Sequence, residues 1–351
     1  MRERPNRYDR HQNQKALSKK DRVKNRHIEK QEELSVLDQQ WRDYEGERDM
    51  TSVSHGIVVQ LRGRMFTVMS DNNFFDCILS KSIPGQLGRR LAIGDKVHFE
   101  KEKNSISGQI VGREARKTTI SRMRGDRDRI SAAAEEEHMI AANVDVGVIV
   151  AAAANPEFHS RFIDRYLIAL QNGNVEPVVC INKCDLTADR PGIIEWYRQL
   201  GIPVVETSAE TGFGLEELKE RIRGKISALV GNSGVGKSSL INQIIPGIQI
   251  DTKTVSEKTG KGRHTTSSSA LYRWDADSYI IDTPGIRALG LSNIKRKDLK
   301  FGFTEFEQYA SECRFNDCIH AHEPDCGVKK AVSERLIEGG RYESYLRMLE
   351  E

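Results

Sequence analysis

Residues 225–245 constrain the fold more than any other stretch. Lys225-Ile-Ser-Ala-Leu-Val230 is short, apolar and β-branched, as a buried strand requires. Ser239-Leu-Ile-Asn-Gln-Ile-Ile245 reads as a helix, ended by Pro246-Gly247. Between them lie Gly231, Asn232, Ser233, Gly234, Val235, Gly236, Lys237 and Ser238, which fit G-x-x-x-x-G-K-[ST]. The glycines let the backbone turn its N–H groups inward toward phosphate, with a helix N-terminus behind them. Lys237 would reach the β- and γ-phosphates, and the Ser238 hydroxyl would hold Mg²⁺. Residues 231–239, Ser239 included, are therefore the candidate phosphate-binding stretch.

The surrounding sequence supplies the sheet that such a loop needs. From about Val144, strands (144–150, 177–181, 203–206) alternate with helical spacings (161–171, 193–200, 215–222), and 270–274 and 278–281 follow the loop. This alternation predicts a mostly parallel sheet covered by helices, with ligands beyond the carboxyl ends of its strands. Residues 52–118 read differently. Five short runs (56–61, 64–69, 75–79, 96–100, 108–112) are separated by turns, which predicts a small closed barrel of the OB kind. Its Arg62, Arg64, Lys81, Arg89 and Arg90, with the Phe74-Phe75 pair, give it a candidate nucleic-acid face.

Short polar motifs sit at the predicted strand ends. Asn182-Lys183-Cys184-Asp185 resembles the N-K-x-D box of GTP-binding proteins, where Asp accepts from guanine N1–H and the exocyclic amine, Asn meets the base edge and the Lys stem packs on the ring. A buried carboxylate left unpaired would reject adenine by roughly 4 kcal/mol. Thr207-Ser208-Ala209-Glu210 resembles the S-A-x box that supports the guanine through its backbone. Asp282-Thr-Pro-Gly285 resembles D-x-x-G, with Asp282 binding Mg²⁺ through water and Gly285 N–H sensing the γ-phosphate. The polar stretch 251–269 would be a mobile loop until a ligand orders it, with Thr266, or else Thr265, completing the Mg²⁺ shell. The base-reading boxes precede the phosphate loop, which inverts the Ras-type order and reads as a circular permutation.

Cys313, Cys318, His320 and Cys326 supply three thiolates and an imidazole, the donor set of a closed structural zinc site. Spacing alone leaves His322 as an alternative. Two helices, 328–337 and 341–349, follow with basic faces, placed to contact RNA or to cap the metal loop.

The permuted boxes, the preceding barrel and the cysteine cluster together resemble the RsgA (YjeQ) family of small-ribosomal-subunit biogenesis GTPases, over residues 52–351. The resemblance implies GTP hydrolysis to GDP and phosphate, stimulated by the small subunit and acting late in its maturation. It implies rRNA as partner, allows for other subunit assembly factors, and favours His320 over His322. The residue after D-x-x-G is Ile286, which cannot orient water as the Ras-type Gln does, so intrinsic turnover should be slow. The family's G-R-H-T-T motif suggests His264 for that task. Lys237, His264 and Thr266 are thus the candidate catalytic residues.

Composition sets the remaining bounds. Fifty-four Lys+Arg against 51 Asp+Glu leave a net charge of only +3, but Arg2, Arg4, Arg7, Arg10, Lys15, Lys19, Lys20, Arg22, Lys24, Arg26 and Lys30 face four acids in the first 30 residues. That arm suggests a polyanionic partner. The run 113–129, with seven basic residues against three acidic, is either a second phosphate-binding strip or a solvated connector. No apolar run approaches the roughly 18 residues of a membrane span, no apolar signal region opens the chain, and six cysteines make no disulfide framework, so a reducing cytoplasm is expected.

The expected architecture is multidomain. A basic, disordered arm (1–50) precedes an OB-fold barrel (51–118), a circularly permuted α/β P-loop GTPase domain (119–291) and a zinc-binding α-helical domain (292–351). Its cofactors would be GTP/GDP, Mg²⁺ and one structural Zn²⁺, and nothing calls for more than a monomer. A guanine-nucleotide-dependent RNA-binding module with little turnover is the alternative, which measurable multiple turnover would exclude.

Overall fold

The computed structural model describes residues 39–41, 43, 53–83, 91–123, 137–250, 270–282, 294 and 296–351. The chain divides into two units, 1–49 and 50–351. In the first, residues 39–41 and 43 are helical.

In the second unit, strands β1 (Ser54–Arg62), β2 (Met65–Ser70), β3 (Asn73–Leu79), β4 (Lys96–Lys101) and β5 (Ser107–Arg113) close into a barrel, because β1 pairs with both β2 and β4 and β5 pairs with both β3 and β4. Alternation drives this. Phe66 and Val68 on β2 and Val97 and Phe99 on β4 are buried at two-residue spacing, and Val58, Cys77 and Ile110 are buried on the strands beside them. One strand breaks the alternation with consequence. The pairing of β1 with β2 slips between Val58 and Gln60, so Val59 is an extra residue. Bulges re-aim side chains. Here Val59 joins the core of the neighbouring α/β sheet, and Gln60 pairs with Ala270 at that sheet's edge.

Strands β6 (Thr119–Met123) and β7 (Glu137–Ala142) form a separate antiparallel hairpin. This corrects the reading of 113–129 as a connector or phosphate-binding strip at Arg113 and Arg116. Arg116 sends Nε and Nη2 to the two carboxylate oxygens of Asp95 at 2.7 Å each, and Arg113 lies 3.9 Å from the same group, all three buried. Burial costs a charge too much to be left unpaired, and the partner comes from the barrel. Arg124, Arg127 and Arg129 lie outside the described residues.

The open sheet is built from β8 (Val146–Ala152), β9 (Glu176–Asn182), β10 (Val204–Glu206), β11 (Ile226–Val230), β12 (Ala270–Asp275) and β13 (Ser278–Asp282) in the order β10-β9-β8-β11-β13-β12. All but β12 run parallel. Helices α1 (Ser160–Asn172), α2 (Ile193–Gln199), α3 (Leu215–Ile222) and α4 (Lys237–Ile244) join the strands. Two apolar cores result, one around Ile163, Leu167, Val179 and Tyr197, the other around Val148, Leu218, Leu240 and Ile280. Both sides of the sheet are covered, as near-continuous apolar strands demand.

The last segment holds a 3₁₀ turn (Arg296–Gly302), α5 (Phe306–Tyr309), α6 (Gly327–Ser333) and α7 (Gly339–Glu350). Its core of Phe303, Phe306, Val328, Tyr345 and Met348 also takes in Ile168 of α1. The expected basic face of the final helix is corrected at Arg341, which is buried and ion-paired.

Candidate nucleotide site and metal centre

Parallel register brings the carboxyl ends of the strands to one edge. Ala152 pairs with Asn182, Ile181 with Glu206, Ile149 with Val230 and Ala228 with Ile281. The loops leaving Asn182, Glu206 and Val230 therefore converge, and Asp282 ends β13 on the same side. Asn182, Lys183, Asp185, Ser208, Ala209, residues 231–239 and Asp282 are thus drawn together at one edge. Gly285, Ile286, His264, Thr265 and Thr266 lie outside the described residues.

The phosphate-loop backbone has the shape that its glycines were expected to permit. Gly231, Gly234 and Gly236 have φ of 143°, 80° and 97°. A Cβ on Gly231 would stand 2.3 Å from Val150 O, and one on Gly236 2.2 Å from Asn182 Nδ2. Only glycine fits both positions. Lys237 opens α4 and its ammonium donates to Gly231 O at 2.8 Å and Asn232 O at 2.7 Å, folded across the loop.

Asn182 ties three loops together. Its Nδ2 donates to Val235 O at 3.0 Å, while its Oδ1 accepts from Ala209 N at 3.1 Å and Thr207 Oγ1 at 3.2 Å. It is 1 % exposed, so these bonds carry the full cost of any break. Sequence alone assigned Asn182 to the base edge and placed Thr207 in the S-A-x box with no role for its side chain. A hydroxyl residue directly after β10 was the available signal. Asp185 Oδ1 accepts from Ser208 Oγ at 2.5 Å, and Ser208 Oγ accepts in turn from Thr211 N at 3.1 Å, so the carboxylate is oriented by a side chain that is itself anchored. Lys183 sits at φ 62° with its ammonium bonded to Asn155 O. Burial lowers its pKa and Asp185 opposes that. Behind these loops, Glu206 receives Arg190 Nε at 2.7 Å and Arg198 Nη2 at 2.8 Å.

Cys313, Cys318, His320 and Cys326 have their donor atoms within 4.8 Å of one another. Bonds of about 2.3 Å to sulfur and about 2.0 Å to nitrogen in a tetrahedron separate two sulfurs by about 3.8 Å and sulfur from nitrogen by about 3.5 Å. Cys313 Sγ to Cys326 Sγ is 3.8 Å, and His320 Nδ1 lies 3.4 and 3.5 Å from those sulfurs. The donor set fits Zn²⁺. His320 takes a left-handed backbone, φ 61°, to turn inward, and His322 is not part of the cluster. Tyr342 OH fixes His320 O at 2.7 Å, and Glu323 accepts from Ile319 N and Ala321 N at 2.7 and 3.0 Å. Burial pushes the Cys318 thiol up to about 12, so without a cation the thiolate is strongly disfavoured.

Comparison with known proteins agrees with this geometry. A family model described as RsgA GTPase matches residues 114–292. The chain is 38 % identical over 313 residues to the small ribosomal subunit biogenesis GTPase RsgA of Chlorobaculum tepidum, covering 86 % of this chain and 99 % of that one. It is 45 % identical over 212 residues to the protein of the same name from Caldanaerobacter subterraneus subsp. tengcongensis, 60 % of this chain and 72 % of that one. Among solved structures, YjeQ from Thermotoga maritima superposes with a TM-score of 0.65 at 33 % identity, over 85 % of this chain and 97 % of that one. YloQ, titled a circularly permuted GTPase, shares the fold with a TM-score of 0.63 at 23 % identity, over 86 % and 96 %.

Proposed function

This chain belongs to the RsgA GTPase family and is a GTPase of small-ribosomal-subunit biogenesis, and we propose that GTP binds over residues 231–239 with its base between the ends of β9 and β10. The Asn182 clamp carries this reading, because one buried side chain sets the phosphate loop, the N-K-x-D loop and the S-A-x loop at fixed separation. Asp185, held by Ser208, pairs with guanine. Lys237 exchanges its loop carbonyls for phosphate oxygens. Ser238, Thr266 and Asp282 hold Mg²⁺, which offsets phosphate charge when bound. His264 positions water in place of the Gln that Ile286 replaces. One Zn²⁺ held by Cys313, Cys318, His320 and Cys326 is structural, since four protein ligands leave no open position.

Residues 51–118, 119–291 and 292–351 act as an OB-type barrel, a permuted GTPase domain and a zinc-bound helical domain, and the barrel with the basic arm engages rRNA. The protein works as a cytoplasmic monomer. The segment 251–269 is the switch. It is anchored at its start, where Asn242 Oδ1 accepts from Ile250 N at 2.8 Å, and at its end, where Ala270 pairs with Gln60 of the barrel. Nucleotide-dependent change in the switch is therefore passed to the barrel, while Arg341 holds the C-terminal segment to α1.

The deciding experiment is GTP hydrolysis at fixed enzyme concentration, alone and with purified small or large ribosomal subunits. A rise on the order of tens-fold confined to small subunits is expected. Equal slow rates under all three conditions would overturn the partner assignment.

A further inference from the structure

Away from the nucleotide loops, His55, His98 and Glu114 bring three ligand atoms within 4.8 Å of one another. His55 on β1 and His98 on β4 are directly opposed across the antiparallel pair, and their rings meet edge to face at 4.7 Å between centroids. Residues so opposed hold their Cβ atoms about 5 Å apart, near enough for two imidazoles to reach one ion. Glu114 arrives from a third strand. It directly follows β5, its N–H donates to Lys96 O at 2.9 Å, and its Oε1 lies 4.0 Å from His98 Nε2. Val97 and Phe99 are the buried neighbours of His98 on β4, so the imidazole is on the face that the barrel core does not use.

We propose that His55, His98 and Glu114 form a second metal site, separate from the cysteine cluster, that takes a divalent ion of the Zn²⁺ class. Two imidazoles and a carboxylate are the borderline donors that such ions prefer. A shared ion draws its donors to about 3.4 Å apart, so the present separations, 4.0 Å between His98 and Glu114 and at most 4.8 Å overall, must close by up to about 1.4 Å. His55 and Glu114 are exposed and free to make that rotation. Three protein ligands leave a fourth position open, and His55 and Glu114 also line a cleft of about 460 Å³ between the barrel and the β12–β13 turn, with Ser70, Asp71, Lys96, Arg273 and Tyr279. Ligation would pin β1, β4 and β5, the strands that complete barrel closure, and an exchangeable fourth ligand distinguishes this site from the closed cysteine set.

The test uses the full chain carrying one zinc, fixed by metal analysis, and titrated calorimetrically with Zn²⁺ and in parallel with Co²⁺. A second equivalent should bind, and Co²⁺ there should show only weak visible bands without thiolate charge transfer. His55→Asn, at an exposed position, and His98→Asn should each weaken that second equivalent at least 30-fold. Glu114→Gln should weaken it less. Unchanged melting of each variant without added metal confirms that folding is intact. Saturation at one equivalent in the unsubstituted chain would overturn the site, as would a second equivalent that survives both histidine substitutions.

Discussion

Arg341 of α7 donates to Asp164 of α1 at 2.7 Å, with 2 % and 0 % of their side chains exposed. The same guanidinium makes a two-pronged contact with Glu305 at 2.8 and 3.1 Å and lies over the Phe303 ring at 4.6 Å. Tyr197 OH also donates to Asp164, at 2.6 Å. One arginine thus helps to join the segment that carries the cysteine cluster to the first helix of the α/β sheet. Removing one partner of a buried pair strands the other charge, at a cost of about 3–5 kcal/mol. Arg341→Ala should lower stability by that amount in urea unfolding. Arg341→Lys should rescue little, because a single ammonium cannot reproduce the fork.

Asn182→Ala would orphan Ala209 N–H and Val235 O and free three loops at once. The third bond, from Thr207 Oγ1, can fall back on Cys180 Sγ at 3.3 Å; the other two are worth about 2–4 kcal/mol, so affinity for fluorescent GDP should fall by roughly 30- to 1000-fold. Stability should change less than nucleotide binding, since β9 keeps its ladder on both sides. Equal losses in both would show that Asn182 acts only as a core residue.

Glu206 carries the clearest pH dependence. Burial alone would raise its carboxyl, but the guanidinium donors Arg190 and Arg198 outweigh that and hold it below the usual carboxylate range. A depressed carboxylate contributes stability that is present above its unfolded pKa, about 4.3, and that fades as pH falls through the folded value. Stability measured from pH 6 down to pH 3 should therefore drop more steeply in the unsubstituted chain than in Glu206→Gln. The variant should be less stable at pH 6 and converge with the parent at low pH.

The barrel strands and the α/β alternation were legible because apolar periodicity is a local property. The phosphate loop was legible because the glycines at 231, 234 and 236 are demanded by backbone shape. What the sequence concealed depends on partners far along the chain. Arg113 and Arg116 looked like part of a basic strip because Asp95, about twenty residues earlier, cannot be identified as their partner from spacing. Arg341 looked like a surface cation because Asp164 lies 177 positions away. The hairpin β6–β7 was missed because its first strand sits inside that basic run. Val59 shows a different limit, since an apolar strand residue does not reveal that a bulge turns it from one core into another. Spacing left His320 and His322 open, and the left-handed turn at His320 is what resolves them.

Asp185 offers a test of base recognition that is independent of turnover. A carboxylate accepts from N1–H and the exocyclic amine of guanine, whereas an amide can donate to the 2-oxo group of xanthine. Asp185→Asn should therefore lose GTP and gain XTP as ligand, a discrimination of roughly 4 kcal/mol or about 1000-fold in relative affinity. Ser208→Ala, which removes the bond that orients the carboxylate, should weaken GTP several-fold without improving XTP. Competition binding against labelled GDP checks both, and an unchanged GTP/XTP ratio in Asp185→Asn would place the base elsewhere.

Metal removal separates the two halves of the structure. Cys313, His320 and Cys326 stand at the separations of a tetrahedral ion with Cys318 in the same cluster, and Cys318 and Cys326 are buried with Phe306, Val328 and Tyr345. Without a cation, burial and neighbouring sulfurs penalise the thiolates, and binding free energy is folding free energy for so small a core. Strong chelation or Cys318→Ser should therefore open 296–351 to protease while β8–β11 stay protected, because the sheet has its own cores around Leu167 and Leu240. Labelled GDP should still bind, within about threefold, since among the described residues no contact joins the nucleotide loops to the cluster, and what is lost is the packing and ion pairing of the C-terminal segment on α1, at Arg341, Ile168 and Glu351. Subunit-stimulated hydrolysis should fall much further than GDP affinity. If chelation left 296–351 as resistant to protease as before, the zinc would be dispensable and the apolar core there would be sufficient alone.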